Sequence, residues 1–62
     1  MIRSVGFDQA RSILEIEFQS GNVYQYRGVS PDVYDELLSA ASKGSYFEAH
    51  IKNAGFAFQR VV

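Results

Sequence analysis

Apolar residues in this chain recur at alternate positions as far as Gly28, then at every third or fourth position after Ser30-Pro31. A strand sends successive side chains to opposite faces, whereas a helix returns to one face about every 3.6 residues. One switch of period therefore imposes strands on the first half of the chain and helices on the segment after it. The alternation is cleanest over residues 12–19. Leu14, Ile16 and Phe18 point one way there, and Ile13, Glu15 and Glu17 the other. Such a strand belongs in an antiparallel sheet with one wet face.

The neighbouring segments obey the same logic. Residues 4–8 make a short strand with Val5 and Phe7 on one face, followed by the polar turn Asp8-Gln9-Ala10-Arg11. Ser20-Gly21-Asn22 supplies a hairpin turn. Residues 23–28 form a third strand, with Tyr24 and Tyr26 on one side and Val23, Gln25 and Arg27 on the other. Ser30 reads as a helix N-cap with Pro31 at the first helical position, and Tyr34, Leu37, Leu38 and Ala41 make the inward stripe. Gly44 is expected to end this helix with a positive φ, with Lys43 near its negative end. Ser45 and Glu48 read as a capping box for a second helix reaching about residue 53. Its inner stripe is Phe47, Ile51 and Ala54, and Gly55 closes it. Residues 56–61 alternate again, with Phe56 and Phe58 on one face. The order β-β-β-α-α-β predicts a two-layer α+β domain, a four-stranded antiparallel sheet with a helix pair on one face. The fourth strand fits beside the first or beside the third.

A chain of 62 residues makes one domain, residues 1–62. Such a chain buries only about 60% of its unfolded surface. No cysteine is available to staple it, yet 47% of the residues are hydrophobic, too many for a disordered segment. A homodimer is the expected remedy for so small a core. With one histidine and no cysteine, neither a metal site nor a cofactor is expected. No apolar run approaches the roughly 20 residues of a membrane span. Residues 1–8 lack the basic start and apolar core of a signal peptide, so a cytoplasmic protein is expected.

Several residues stand out as candidates for ligand contact. Tyr24 and Tyr26 could stack nucleobases, but their alignment with the apolar face of residues 12–19 favours core rings with polar tips. Tyr46 and His50 are neighbours on the second helix and could flank a planar ligand, or form an ordinary helix edge. Lys43, Gly44 and Ser45 precede a helix start that would welcome a phosphate, although Glu48 competes as a capping group. Arg27 and Arg60 lie on strands beside aromatic residues, and Phe56 is a further ring for a base. Glu48 and Lys52 form an i, i+4 pair. Ile13, Val23, Ala57 and Val61 are candidates for an apolar patch on the outer sheet face.

Taken along nearly the whole chain, these features resemble the KTSC domain. The resemblance is carried by the strand from Ser4 to Phe7, the strand from Leu14 to Phe18, Gly21, and Tyr24-x-Tyr26. It continues through Gly28-Val29-Ser30-Pro31, Tyr34, Leu38, Ala41-Ser42-Lys43-Gly44, Tyr46-Phe47 and Ile51. The chain departs from the family at Ala54-Gly55, where an aromatic is common, and at His50 and Lys52, where Asn and Arg are usual. KTSC domains occur at the C-terminus of some lysyl-tRNA synthetases and as small bacterial or phage proteins, which implies a bacterial or phage origin and an RNA-related role. The residues themselves show no nucleophile–base constellation, metal set or phosphate loop, so a non-enzymatic binding module is expected. The net charge of −1 argues against a long RNA track or a DNA duplex and favours a free or cyclic nucleotide, held by sequestration. A short RNA ligand and a protein-docking role are the alternatives.

Overall fold

In the computed structural model, which describes residues 1–62, the strands are β1 (Ile2–Asp8), β2 (Ile13–Phe18), β3 (Val23–Arg27) and β4 (Phe58–Arg60). Between β3 and β4 come α1 (Pro31–Ser39), α2 (Lys43–Phe47) and a π-helical segment, Glu48–Lys52. The sheet is antiparallel throughout and its strands lie in chain order, so β4 pairs with β3. The expected β-β-β-α-α-β sandwich is therefore the fold.

Two rungs of side chains cross all four strands on the helix-covered face. One is Phe7, Leu14, Tyr26 and Phe58; the other is Val5, Ile16, Tyr24 and Arg60. Leu14 and Ile16 are fully buried, and Val29, Leu37, Phe47 and Ile51 close over them from the opposite layer. Tyr26 is only 5% exposed, so its ring belongs to the core, as the strand alignment predicts. The first strand begins earlier than residue 4 because the register slips between Ile2 and Ser4. This bulge absorbs Arg3 and lets Ile2 join Val5 and Phe7 against the core, which strict alternation forbids.

The outer face is polar at its centre. Ser4 donates to Glu17 at 2.9 Å, Gln25 to Glu15 at 3.0 Å and Arg27 to Gln59 at 3.1 Å. Ile13 and Val23 are half-buried at opposite ends of this face, Ile13 opposite Arg27 and Val23 opposite Glu17. Val61 bonds to Val23 and Ala57 to Arg27 along the backbone. The four apolar residues thus form two separated ends with polar rungs between them, and the expected single patch is absent.

The helix joint also departs from expectation. Ser30 caps α1 as predicted, accepting the Val33 N–H at 3.4 Å. However, α1 ends at Ser39, whose hydroxyl donates back to the Asp35 carbonyl, and Ala40 is its C-cap. Ala41 therefore lies outside the helix, and Leu38 is 43% exposed. The cap of α2 is Ser42, not Ser45. Ser42 Oγ accepts the Ser45 N–H at 3.3 Å, and the extended backbone it needs (φ −128°, ψ 107°) breaks the chain between the helices. Gly44 then sits inside α2, and its φ is not positive. A β-carbon there would meet Met1 Sδ at 3.2 Å, so the small residue makes room for the N-terminus. Ala54 is exposed and does not extend the inner stripe, because the chain has already left the helix for the turn at Gly55, φ 86°.

These assignments separate three substitutions. Tyr26→Ala is expected to lose roughly 3 kcal/mol or more in urea denaturation, the cost of truncating a core aromatic. Gly55→Ala should cost about 1–2 kcal/mol from left-handed strain. Gly44→Ala should stay within about 1 kcal/mol of the parent, because a gain in helix propensity offsets a small shift of Met1.

Candidate functional site

The helical layer covers β1, β2 and β3 but leaves β4 open. Phe58 is consequently 60% exposed, although Leu14 and Tyr26 on the same rung are buried. Its ring stacks on Tyr26 with centroids 5.5 Å apart and planes 30° from parallel, and lies 6.0 Å from the Tyr24 ring. Tyr24 and Tyr26 stack on each other at 6.4 Å. Behind them Phe18 and Phe47 meet edge to face at 5.5 Å, each touching one of the tyrosines. These rings form the floor and back wall of a groove of about 670 Å³. Its rim carries Glu48, Lys52 and Asn53 from the helical side, and Asn22 and Ser20 from the β2–β3 hairpin.

The π-helical winding shapes this rim. Segments of this kind use i→i+5 bonds, so residues four apart are no longer one turn apart. The expected Glu48–Lys52 ion pair does not form; the ion pairs of the molecule are Arg3–Glu17 and Arg11–Asp8. Asn53 instead fixes the segment by donating from Nδ2 to the Glu48 carbonyl at 2.9 Å.

The residues singled out in the sequence are dispersed. Tyr24 and Tyr26 line the groove, and Arg60 is the cross-strand partner of Tyr24 on the same face. Arg27 lies on the outer face, bonded to Gln59. Lys43 and Ser45 line a second recess, which shares Met1 and Glu48 with the groove. Phe56 is half-buried and packs against the core. Tyr46 and His50 are neighbours, with ring centroids only 4.5 Å apart. That spacing leaves no room for a ligand ring between them. Phe58, Phe18, Phe47 and Lys52 were not prominent in the sequence as site residues. For Phe58 the signal was its place two residues after Phe56, and it became decisive only once β4 was known to pair with β3.

Tyr46 is held by Glu36, to whose Oε1 its hydroxyl donates at 2.8 Å. Partial burial, then the Glu36 hydrogen bond and charge, push its phenol above the ordinary value of 10.0. Burial, and secondarily the neighbouring Tyr24, push the Tyr26 phenol up as well.

The KTSC domain family model matches residues 1–56. This chain belongs to the KTSC domain family. The crystal structure of a KTSC domain protein from Yersinia pestis superposes with a TM-score of 0.92 at 36% identity, over 98% of this chain and 84% of that one. An uncharacterized protein of Stutzerimonas stutzeri is 40% identical over 60 residues, covering 97% of this chain and 84% of that protein. A lysine–tRNA ligase of Nostoc punctiforme is 39% identical over 61 residues, which are 98% of this chain but 11% of the ligase. No helix of this KTSC domain is long and apolar enough to cross a membrane.

The two raised phenols give this domain an alkaline signature. A phenol whose folded pKa exceeds its unfolded value contributes stability that is present below the unfolded pKa and is lost as pH rises through the folded one. Ultraviolet titration should therefore show phenolate steps above pH 10 that disappear in Tyr26→Phe and Tyr46→Phe. Glu36→Gln should bring the Tyr46 step down.

Proposed function

We propose that this KTSC domain is a non-catalytic binding module that captures a nucleotide-type ligand, with the base stacked on Phe58. The observation that carries the reading is the exposure of that ring. A phenylalanine 60% open to solvent, stacked on a tyrosine from the core, offers a rigid platform at low entropic cost. A groove of about 670 Å³ lies within the range of small-molecule sites. Lys52 lines it, Arg60 sits opposite Tyr24 on the same sheet face, and neither is in an ion pair, so these are the cations available for a phosphate. Capture alone gives such a domain a use, by sequestration or by presenting the ligand to a partner.

A second reading is favoured by one observation, the likeness to a segment of a lysine–tRNA ligase. In that case the stacked base belongs to an unpaired nucleotide of an RNA. The charge distribution supports the smaller ligand. Arg3 and Arg11 are paired with acidic residues, Arg27 is on the outer face, and Lys43 lines the second recess. A polymer tracking several phosphates would find few cations on one surface.

Calorimetry against a panel of mono-, di- and cyclic nucleotides and a short single-stranded RNA, at two salt concentrations, tests the proposal. Binding of a free nucleotide is expected, with log affinity falling against log salt at a slope of about −1 to −2. Phe58→Ala should lower affinity by about ten-fold or more, since stacking on an aromatic side chain contributes about 1–3 kcal/mol per base. Because the ring also stacks on Tyr26, the variant's melting temperature should fall modestly, so affinities are compared well below the transition. A steep salt slope on RNA with silence from every free nucleotide would transfer the case to the second reading. Silence from both would overturn the proposal.

A further inference from the structure

Four glutamates are present in the sequence, and the structure employs three of their carboxylates. Glu15 accepts from Gln25, Glu17 from Ser4, and Glu36 from Tyr46. Glu48 bonds through its main chain alone, its carbonyl accepting from Asn53 and its N–H donating to the Gly44 and Ser45 carbonyls. Its carboxylate takes part in neither ion pair of the molecule, and the residue lines both the aromatic groove and the recess beside Lys43.

An unengaged carboxylate lining the same groove as a stacking platform restricts what can lie there. It repels phosphate and attracts N–H donors. Two carboxylate oxygens match two donors set side by side, as they do for a guanidinium fork. Among the common bases only guanine offers that pattern on its Watson–Crick edge, with N1–H next to the N2 amino group. Adenine and cytosine each offer one amino group beside a bare acceptor, and uracil offers one N–H between two carbonyls. A quaternary ammonium would also be drawn to aromatic faces, but Lys52 on the same rim opposes a second cation.

We infer that Glu48 is a specificity-determining residue of the groove, selecting a guanine base by accepting its N1–H and amino protons while the ring lies on Phe58. The inference rests on the nucleotide reading of the groove. Lys52, with Arg60 opposite Tyr24 on the same sheet face, is then left for the phosphate.

The probes are GMP, IMP, XMP, AMP and UMP, titrated calorimetrically into the intact chain. IMP keeps N1–H but lacks the amino group, and XMP carries a carbonyl in its place. GMP is expected to bind about ten-fold or more tighter than UMP, a discrimination typical of one bidentate base contact, with IMP between GMP and XMP. Glu48→Gln, an exposed and isosteric change, should leave the melting temperature unmoved and abolish the preference, reducing GMP to the affinity of UMP. Phe58→Ala should weaken all five together. Equal affinities that still depend on Phe58 would overturn the role of Glu48 while leaving the stacking site in place. A guanine preference that survives in Glu48→Gln would overturn it equally. No binding by any of the five would overturn both the inference and the reading beneath it.

Discussion

The contact between Tyr26 and its two cross-strand neighbours, Leu14 and Phe58, is the one on which the rest of this small protein depends. Leu14 is wholly buried beneath the helices, Tyr26 nearly so, and Phe58 is mostly open. The rung therefore runs from core to solvent within a single line of side chains. Phe47 comes down from the helical layer to meet the Tyr26 ring edge-on at 5.6 Å. The packing that closes the core is thus the packing that sets the floor of the groove. With only seven residues buried, no spare set of contacts exists to hold the site separately from the fold.

The helical layer is kept short, and this is what leaves β4 uncovered. Ser39 bonding back into α1 and Ser42 capping α2 end one helix and start the next within three residues. Met1 fills the space beside Gly44, and the Gln19 N–H donates to the Met1 carbonyl at 2.8 Å, tying the N-terminus to the end of β2. Phe47 at the end of α2 and Ile51 of the π-helical segment then turn inward, while Glu48 and Lys52 reach the groove. Such wide turns are costly in plain helices and recur at functional positions.

Local pattern revealed the faces of this protein but not its neighbours. Alternation placed Leu14, Ile16, Tyr24 and Tyr26 on one side, and the Ser30-Pro31 cap was readable from residue type alone. The bulge at Arg3 was not, because a slip in register is driven by burying Ile2 against a surface that local sequence does not describe. Gly44 looked like a helix end because glycine so often is; its actual partner, Met1, is remote in sequence. The place of β4 is a long-range pairing, and both edges of the meander offered the same free hydrogen bonds. Without that pairing Phe56 and Phe58 were equivalent rings. With it, Phe56 packs on the core and Phe58 becomes the exposed platform.

The groove divides its residues by how freely they could change. Tyr26 and Phe47 are buried, and Tyr24 and Phe18 are half-buried against them, so altering any of these disturbs the fold as well as the site. Phe58, Glu48, Lys52 and Arg60 are exposed. Substitutions at such surface positions usually move stability by no more than about 0.5 kcal/mol, with Phe58 the exception through its stacking on Tyr26. A KTSC domain can accordingly keep its aromatic floor and exchange the groups at the rim. Under the binding proposed for it, the floor, Phe58 included, supplies affinity for a flat ring of any kind, and Glu48, Lys52 and Arg60 decide which ring and which charge it must carry.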